Sequence, residues 1–160
     1  MENNDLRLTI DSEFGYQDNF LIKYDETCRQ RDSVAIYFSS NAIFFPDTVD
    51  TFNYIIKKKN RFEWFRNRID CYKHIYLRDL KKSWYTNGIN SKINSQDSLL
   101  NWLKNKTKGY AHVYTVGSSA GGYAALLFGN LLNVEAIYAF SPQIDIGTWS
   151  DKASLRGGMR

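Results

Sequence analysis

From Tyr114 to Leu127 the chain reads Tyr-Thr-Val-Gly-Ser-Ser-Ala-Gly-Gly-Tyr-Ala-Ala-Leu-Leu, and this stretch constrains the fold more than any other. The β-branched residues Val113, Thr115 and Val116 favour an extended strand. Small residues fill 117 to 122, and from Ala124 a strong helix-forming pattern begins. A strand must therefore pass into a helix through a sharp turn. A second apolar run, Val134 to Phe140, follows that helix, which predicts a strand-helix-strand crossover in a parallel sheet.

The turn itself contains Gly117-x-Ser119-x-Gly121, the pattern of a nucleophile elbow. A serine at the apex of so tight a turn has a strained backbone, so the residues two before and two after it must be small. Both are glycine. Centring the pattern on Ser118 instead would place Val116 at the first small position. The apex hydroxyl of Ser119 would stand above the sheet, with the Ala120 amide and the first helical turn facing any anion formed beside it. The competing reading is a glycine-rich turn that serves only close helix-sheet packing.

At 160 residues the chain suits one domain with a real core, and its 24% charged and 43% hydrophobic residues are ordinary for a globular protein. The net charge of +4 is modest. Basic residues concentrate in Lys57-Lys58-Lys59-Asn60-Arg61 and Arg66 to Arg68, interleaved with Phe62, Trp64 and Phe65. The favoured reading of that cluster is an amphipathic surface helix with its aromatics facing the core, so no nucleic-acid partner is expected. No secretory leader is visible at the start and no window spans a membrane. Cys28 and Cys71 are too few and too far apart for a metal site. The expectation is a cytoplasmic protein without metal or cofactor.

In chain order, Leu6 to Ile10 and Asn19 to Tyr24 alternate apolar and polar residues, which predicts an antiparallel hairpin or meander. Ser33 to Phe38 is a near-continuous apolar run suited to a buried strand, and it ends in Ser39-Ser40-Asn41. Ligands gather at the carboxyl ends of strands in open α/β sheets, so the Ser40 and Asn41 amides are candidates for the second half of an oxyanion hole, a plain turn being the alternative. Residues 43 to 69 predict one or two helices broken near Asn60, and Lys73 to Leu77 the next strand, with Asp79 beyond its carboxyl end. The aromatic, turn-rich segment 83 to 96 suits a loop above the crevice. Trp84 and Tyr85 there are candidates for substrate contact, with packing under a lid as the alternative. Ser98 to Lys108 predicts a short helix.

With these residues assembled, the chain resembles the α/β-hydrolase superfamily from about Ser33 to Asp145. The resemblance rests on Gly117-Ser-Ser-Ala-Gly-Gly122, its strand-turn-helix setting and the order of strands around it. Leu77-Arg-Asp, Trp84-Tyr85, Gly88-Ile89 and Ala139-Phe-Ser-Pro-Gln143 are also similar to small hydrolase-like proteins associated with bacterial surface polysaccharide loci. The resemblance implies a mostly parallel sheet with helices on both faces and antiparallel strands at the amino-terminal edge. It implies acyl transfer to water from a small or carbohydrate-linked acyl ester, with Ser119 as nucleophile and Ala120, Ser40 and Asn41 around the oxyanion. Asp145 is the candidate acid, with a helix or loop cap as the alternative, and Asp79 is a second contact in the crevice.

The general base is where the chain departs from that pattern. It has two histidines, His74 and His112, and both precede Ser119. His112 lies at the start of its strand, roughly 15 Å or more from the elbow at about 3.3 Å per residue. Neither is expected to serve as base. The expectation is an amino-terminal portion of a longer hydrolase, or else a non-catalytic hydrolase-like module that binds a ligand or partner. A second copy of the chain is one way to cover the sheet edge left open, giving a homo-oligomer.

Overall fold

A computed structural model describes residues 2–144; Asp145 and the tail, Thr148 to Arg160, lie outside the described residues. The architecture is of the α/β type, built on one mixed sheet of five strands in the order β1-β3-β2-β4-β5. These are β1 (Phe20–Tyr24), β2 (Ser33–Phe38), β3 (Lys73–Leu77), β4 (His112–Ser118) and β5 (Ala136–Phe140). β2 pairs in parallel with β3 and β4, β5 pairs in parallel with β4, and β1 runs antiparallel beside β3 at the edge. All six residues of β2 and all five of β3 are buried, as expected of strands covered on both faces.

One face carries α3 (Gln96–Thr107) and α4 (Ala120–Leu132), whose Leu99, Leu103, Ala124, Ala125 and Phe128 join Val34, Ile36, Phe38, Ile75 and Leu77 in the main core cluster. Phe38 and Phe128 stack with ring centroids 5.5 Å apart. Ser95 caps α3 by accepting the Ser98 amide, and Ser98 returns the bond to the Ser95 amide.

The opposite face is covered differently from the expectation of helices on both faces. Phe62, Trp64, Ile69 and Cys71, from an irregular segment between Asn60 and Tyr72, pack on Ala35, Tyr37, Tyr76 and Val116. The helical run that starts with α2 (Val49–Phe52) and continues as a π-helical stretch to Lys58 stops where Asn60 turns left-handed at φ 45°. Asparagine tolerates that region. Trp64, at φ 68°, turns the backbone again, so beyond the break expected near Asn60 no helix forms before β3, and of the basic cluster only Lys57 and Lys58 are helical.

A second expectation is overturned at the start of the chain. The segment containing Leu6 to Ile10 is part of a helix, α1 (Glu2–Tyr16), not a strand of a hairpin. Leu6, Leu8 and Ile10 fit a period of two, but a helix keeps Leu6, Ile10 and Phe14 on one side and turns Leu8, about 200° from Leu6, to the other. Leu6 and Phe14 are buried while Leu8 is 61% exposed. α1 and α2 pack together against Ile43, Phe44 and Leu80, which follow β2 and β3.

Candidate active site

β4 delivers Ser119 to the carboxyl edge of the sheet, and the turn there is as tight as its glycines predict. Ser119 lies at φ 53° and ψ −120°, a conformation that residues with a β-carbon rarely adopt. A β-carbon on Gly117 would lie 2.0 Å from the Gly121 carbonyl oxygen. One on Gly121 would lie 2.2 Å from the Phe38 carbonyl oxygen and 2.9 Å from that of Ser39. Both obstacles are backbone, so neither can swing aside. The turn is pinned to β5 by the Ser119 amide, which donates to the Phe140 carbonyl at 2.9 Å, and by the Gln143 amide, which donates to the Ser119 carbonyl at 3.2 Å.

Ala120 is the first residue of α4, and the first amide the helix itself satisfies is that of Tyr123, which donates to the Ser119 carbonyl at 3.1 Å. The Ala120 amide is thus one of the unpaired donors that open a helix, where partial positive charge gathers. Across the crevice, β2 ends in Ser39 and Ser40, and Asn41 opens a single turn of 3-10 helix to Ile43. Ser40 is 8% exposed. Its two donors are occupied: the amide reaches Glu63 Oε2 at 2.8 Å and the hydroxyl reaches Glu63 Oε1 at 2.9 Å. Glu63 therefore occupies the Ser40 amide that was a candidate oxyanion donor. No local sequence signal marks Glu63, which lies in a charged run 23 residues away from Ser40.

Trp84 comes to the same crevice: its indole Nε1 donates to Gln143 Oε1 at 2.8 Å, joining the 83 to 96 loop to the residue bonded to the Ser119 carbonyl. Gln143, too, carries no motif that singles it out. Tyr85 does not line the crevice. It is fully buried, and its hydroxyl donates towards the Ser39 and Leu77 carbonyls at 3.0 and 3.3 Å, so of the two roles open to it the structure shows packing.

Asp79 is likewise engaged inside the protein. Its carboxylate accepts the amides of Lys81, Ser83 and Tyr85 and the Ser83 hydroxyl, at 2.6 to 3.1 Å, and is 2% exposed. Burial pushes its pKa upward against those hydrogen bonds. This carboxylate organises the loop that carries Trp84 rather than facing a substrate. Asp145, the candidate acid, lies outside the described residues.

Both histidines sit at the opposite end of their strands from Ser119. His112 opens β4 and pairs with Ser33, whereas Gly117 at the other end pairs with Phe38. His112 Nδ1 bonds Glu135 Oε2, and that contact holds its pKa above the usual histidine value. His74 is buried, with Nδ1 3.0 Å from the Tyr37 hydroxyl, and desolvation depresses its pKa. Neither reaches the elbow. Among the described residues no group of His, Cys, Asp or Glu is placed to hold a metal ion, and no helix is long and apolar enough to cross a membrane.

Comparison of the chain with protein-family models, with curated proteins and with solved structures returns no match.

Proposed function

We propose that the chain carries the nucleophile of a serine hydrolase of the esterase or deacylase type, acting on an acyl ester of a small or carbohydrate-linked substrate. One observation carries the reading, the left-handed backbone of Ser119 at φ 53°. Such a conformation costs on the order of 1–3 kcal/mol in a residue with a β-carbon, and strain of this kind concentrates at functional sites. A turn serving only close helix-sheet packing needs Gly117 and Gly121 but gains nothing from a strained serine between them. The order of strands around the elbow supports an α/β-hydrolase-like fold.

On this reading Ser119 Oγ bonds the substrate carbonyl carbon, its proton passes to a base that is neither His74 nor His112, and the carbonyl oxygen takes the negative charge beside the Ala120 amide. The free, buried Cys28 and Cys71 support a reducing, cytoplasmic setting. β5 pairs only with β4 among the described residues and exposes Tyr138 and Phe140, which supports covering of that edge by a second copy.

A second reading, a hydrolase-like module that binds without catalysis, is favoured by the occupation of both Ser40 donors by Glu63. A fluorophosphonate probe separates the two. Labelling at Ser119 that vanishes in Ser119→Ala supports the hydrolase. A folded protein that takes no label, and turns over no p-nitrophenyl ester, leaves the binding module.

A further inference from the structure

The basic, aromatic segment expected to form a surface helix does something else in the structure. Together with β1 it walls a concavity of about 870 Å³ on the side of the sheet away from α3 and α4. That size suits a small organic ligand. Lys23, Lys59, Arg61 and Arg66 line it, against a single carboxylate, Glu63. The Glu63 oxygens are already engaged by Ser40.

Two neighbouring cations are paired, while these four, like Lys58, have no ion pair among the described residues. Lys57 meets Glu13 at 3.3 Å and Arg68 meets Asp25 at 3.3 Å. Aromatic rings stand among them: Tyr54 and Phe65 are 50% and 44% exposed, and Trp64 forms part of the wall. Lys59 Nζ lies 5.4 Å from the Tyr54 ring centroid. The left-handed turns at Asn60 and Trp64 bend the segment so that its charges and its rings line one surface. Arg78, 2% exposed, holds it there by donating to the Arg61 carbonyl at 3.1 Å and covering the Phe62 ring at 4.5 Å.

We propose that this concavity binds a nucleotide, free or as a unit of a single strand, with its phosphates on Lys59, Arg61 and Arg66 and its base against the exposed rings of Tyr54 and Phe65. Cations and flat aromatic surfaces side by side are what a phosphate-bearing planar ring requires. A purely anionic ligand would need the cations alone. The expectation of no nucleic-acid partner rested on the lack of a recognised motif and on a surface helix with Phe62, Trp64 and Phe65 facing the core; in the structure Phe62 and Trp64 do pack on the sheet, but Phe65 is left 44% exposed.

The test is a fluorescence anisotropy titration of the whole chain with N-methylanthraniloyl-ADP, competed by ADP, by an oligothymidylate, by inorganic pyrophosphate and by heparin. Saturable binding is expected, with pyrophosphate at least tenfold weaker as a competitor than ADP. Arg61→Ala/Arg66→Ala and, separately, Tyr54→Ala should each weaken binding about tenfold or more, while Ser119→Ala leaves it unchanged. These three side chains are exposed, so their truncation spares the core. Stronger competition by the oligothymidylate than by ADP identifies a strand as the source, and the reverse identifies the free nucleotide. The proposal is overturned by an absence of saturable binding, or by heparin or pyrophosphate matching the nucleotides while Tyr54→Ala binds like the parent.

Discussion

Ser40 grips the Glu63 carboxylate with both of its donors, the amide at 2.8 Å and the hydroxyl at 2.9 Å. The contact ties the irregular segment on one face of the sheet to the carboxyl end of β2, beside the strand that delivers Ser119. Hydrogen bonds to a carboxylate are the stronger kind, contributing about 1.5–3 kcal/mol each at most and less where water competes.

Removing that carboxylate should act in two directions at once. Glu63→Ala is expected to lower stability by about 1–3 kcal/mol in a urea titration. It should also raise the rate of fluorophosphonate labelling at Ser119 several-fold, because the Ser40 amide is released to face the crevice. A destabilised variant that labels at the parent rate would mean that Ser40 takes no part in the chemistry.

The elbow makes a sharper pair of predictions. Gly121→Ala puts a β-carbon 2.2 Å from the Phe38 carbonyl oxygen and should cost more than about 3 kcal/mol or prevent folding. Ser119→Gly removes the β-carbon at φ 53° and should stabilise the fold by about 1 kcal/mol. Ser119→Ala keeps the strain and should be near neutral. Urea midpoints for Ser119→Gly and Ser119→Ala that coincide would show that the turn stores no strain.

What the sequence made legible follows from how local each signal is. The strands from β2 to β5 and the elbow are written in runs of neighbouring residues, such as Ser33 to Phe38, and the steric demand for Gly117 and Gly121 is visible within five positions. α1 differs from the hairpin expected because Leu6, Leu8 and Ile10 satisfy a period of two over so short a window and Phe14 fits either period; the 61% exposure of Leu8 is what separates the two. The break near Asn60 was legible, but the helix expected beyond it does not form, because the left-handed turn at Trp64 has no glycine to announce it. The partnership of Glu63 with Ser40, and of Gln143 with Trp84, depends on packing across 23 and 59 positions. No residue pattern encodes such distances.

Asp79 offers a test of the loop that carries Trp84. Three amides and one hydroxyl converge on its carboxylate in a site that is 2% exposed. Asp79→Ala would orphan all of them, at about 1–3 kcal/mol for each donor that water cannot reach. A loss of at least 3 kcal/mol is expected by urea denaturation, with faster proteolysis between residues 80 and 95. Parent-like stability would show that the loop is held by other contacts.

The two histidines should titrate on opposite sides of the ordinary value near 6.5, and for opposite reasons. His112 is half-exposed and its hydrogen bond to Glu135 raises its folded pKa; the stability it contributes is complete below 6.5 and fades as pH rises through that folded value. His74 is buried beside the Tyr37 ring, so its folded pKa is lowered and the unfolded chain binds the proton first. Its effect is a loss of stability as pH falls below 6.5. Imidazole resonances followed by NMR across pH 4 to 9 should therefore give one midpoint above and one below 6.5, with Glu135→Gln lowering only the upper one. Two midpoints on the same side, or a His74 midpoint that rises in Tyr37→Phe by as much as the His112 midpoint falls in Glu135→Gln, would contradict desolvation as the cause at His74.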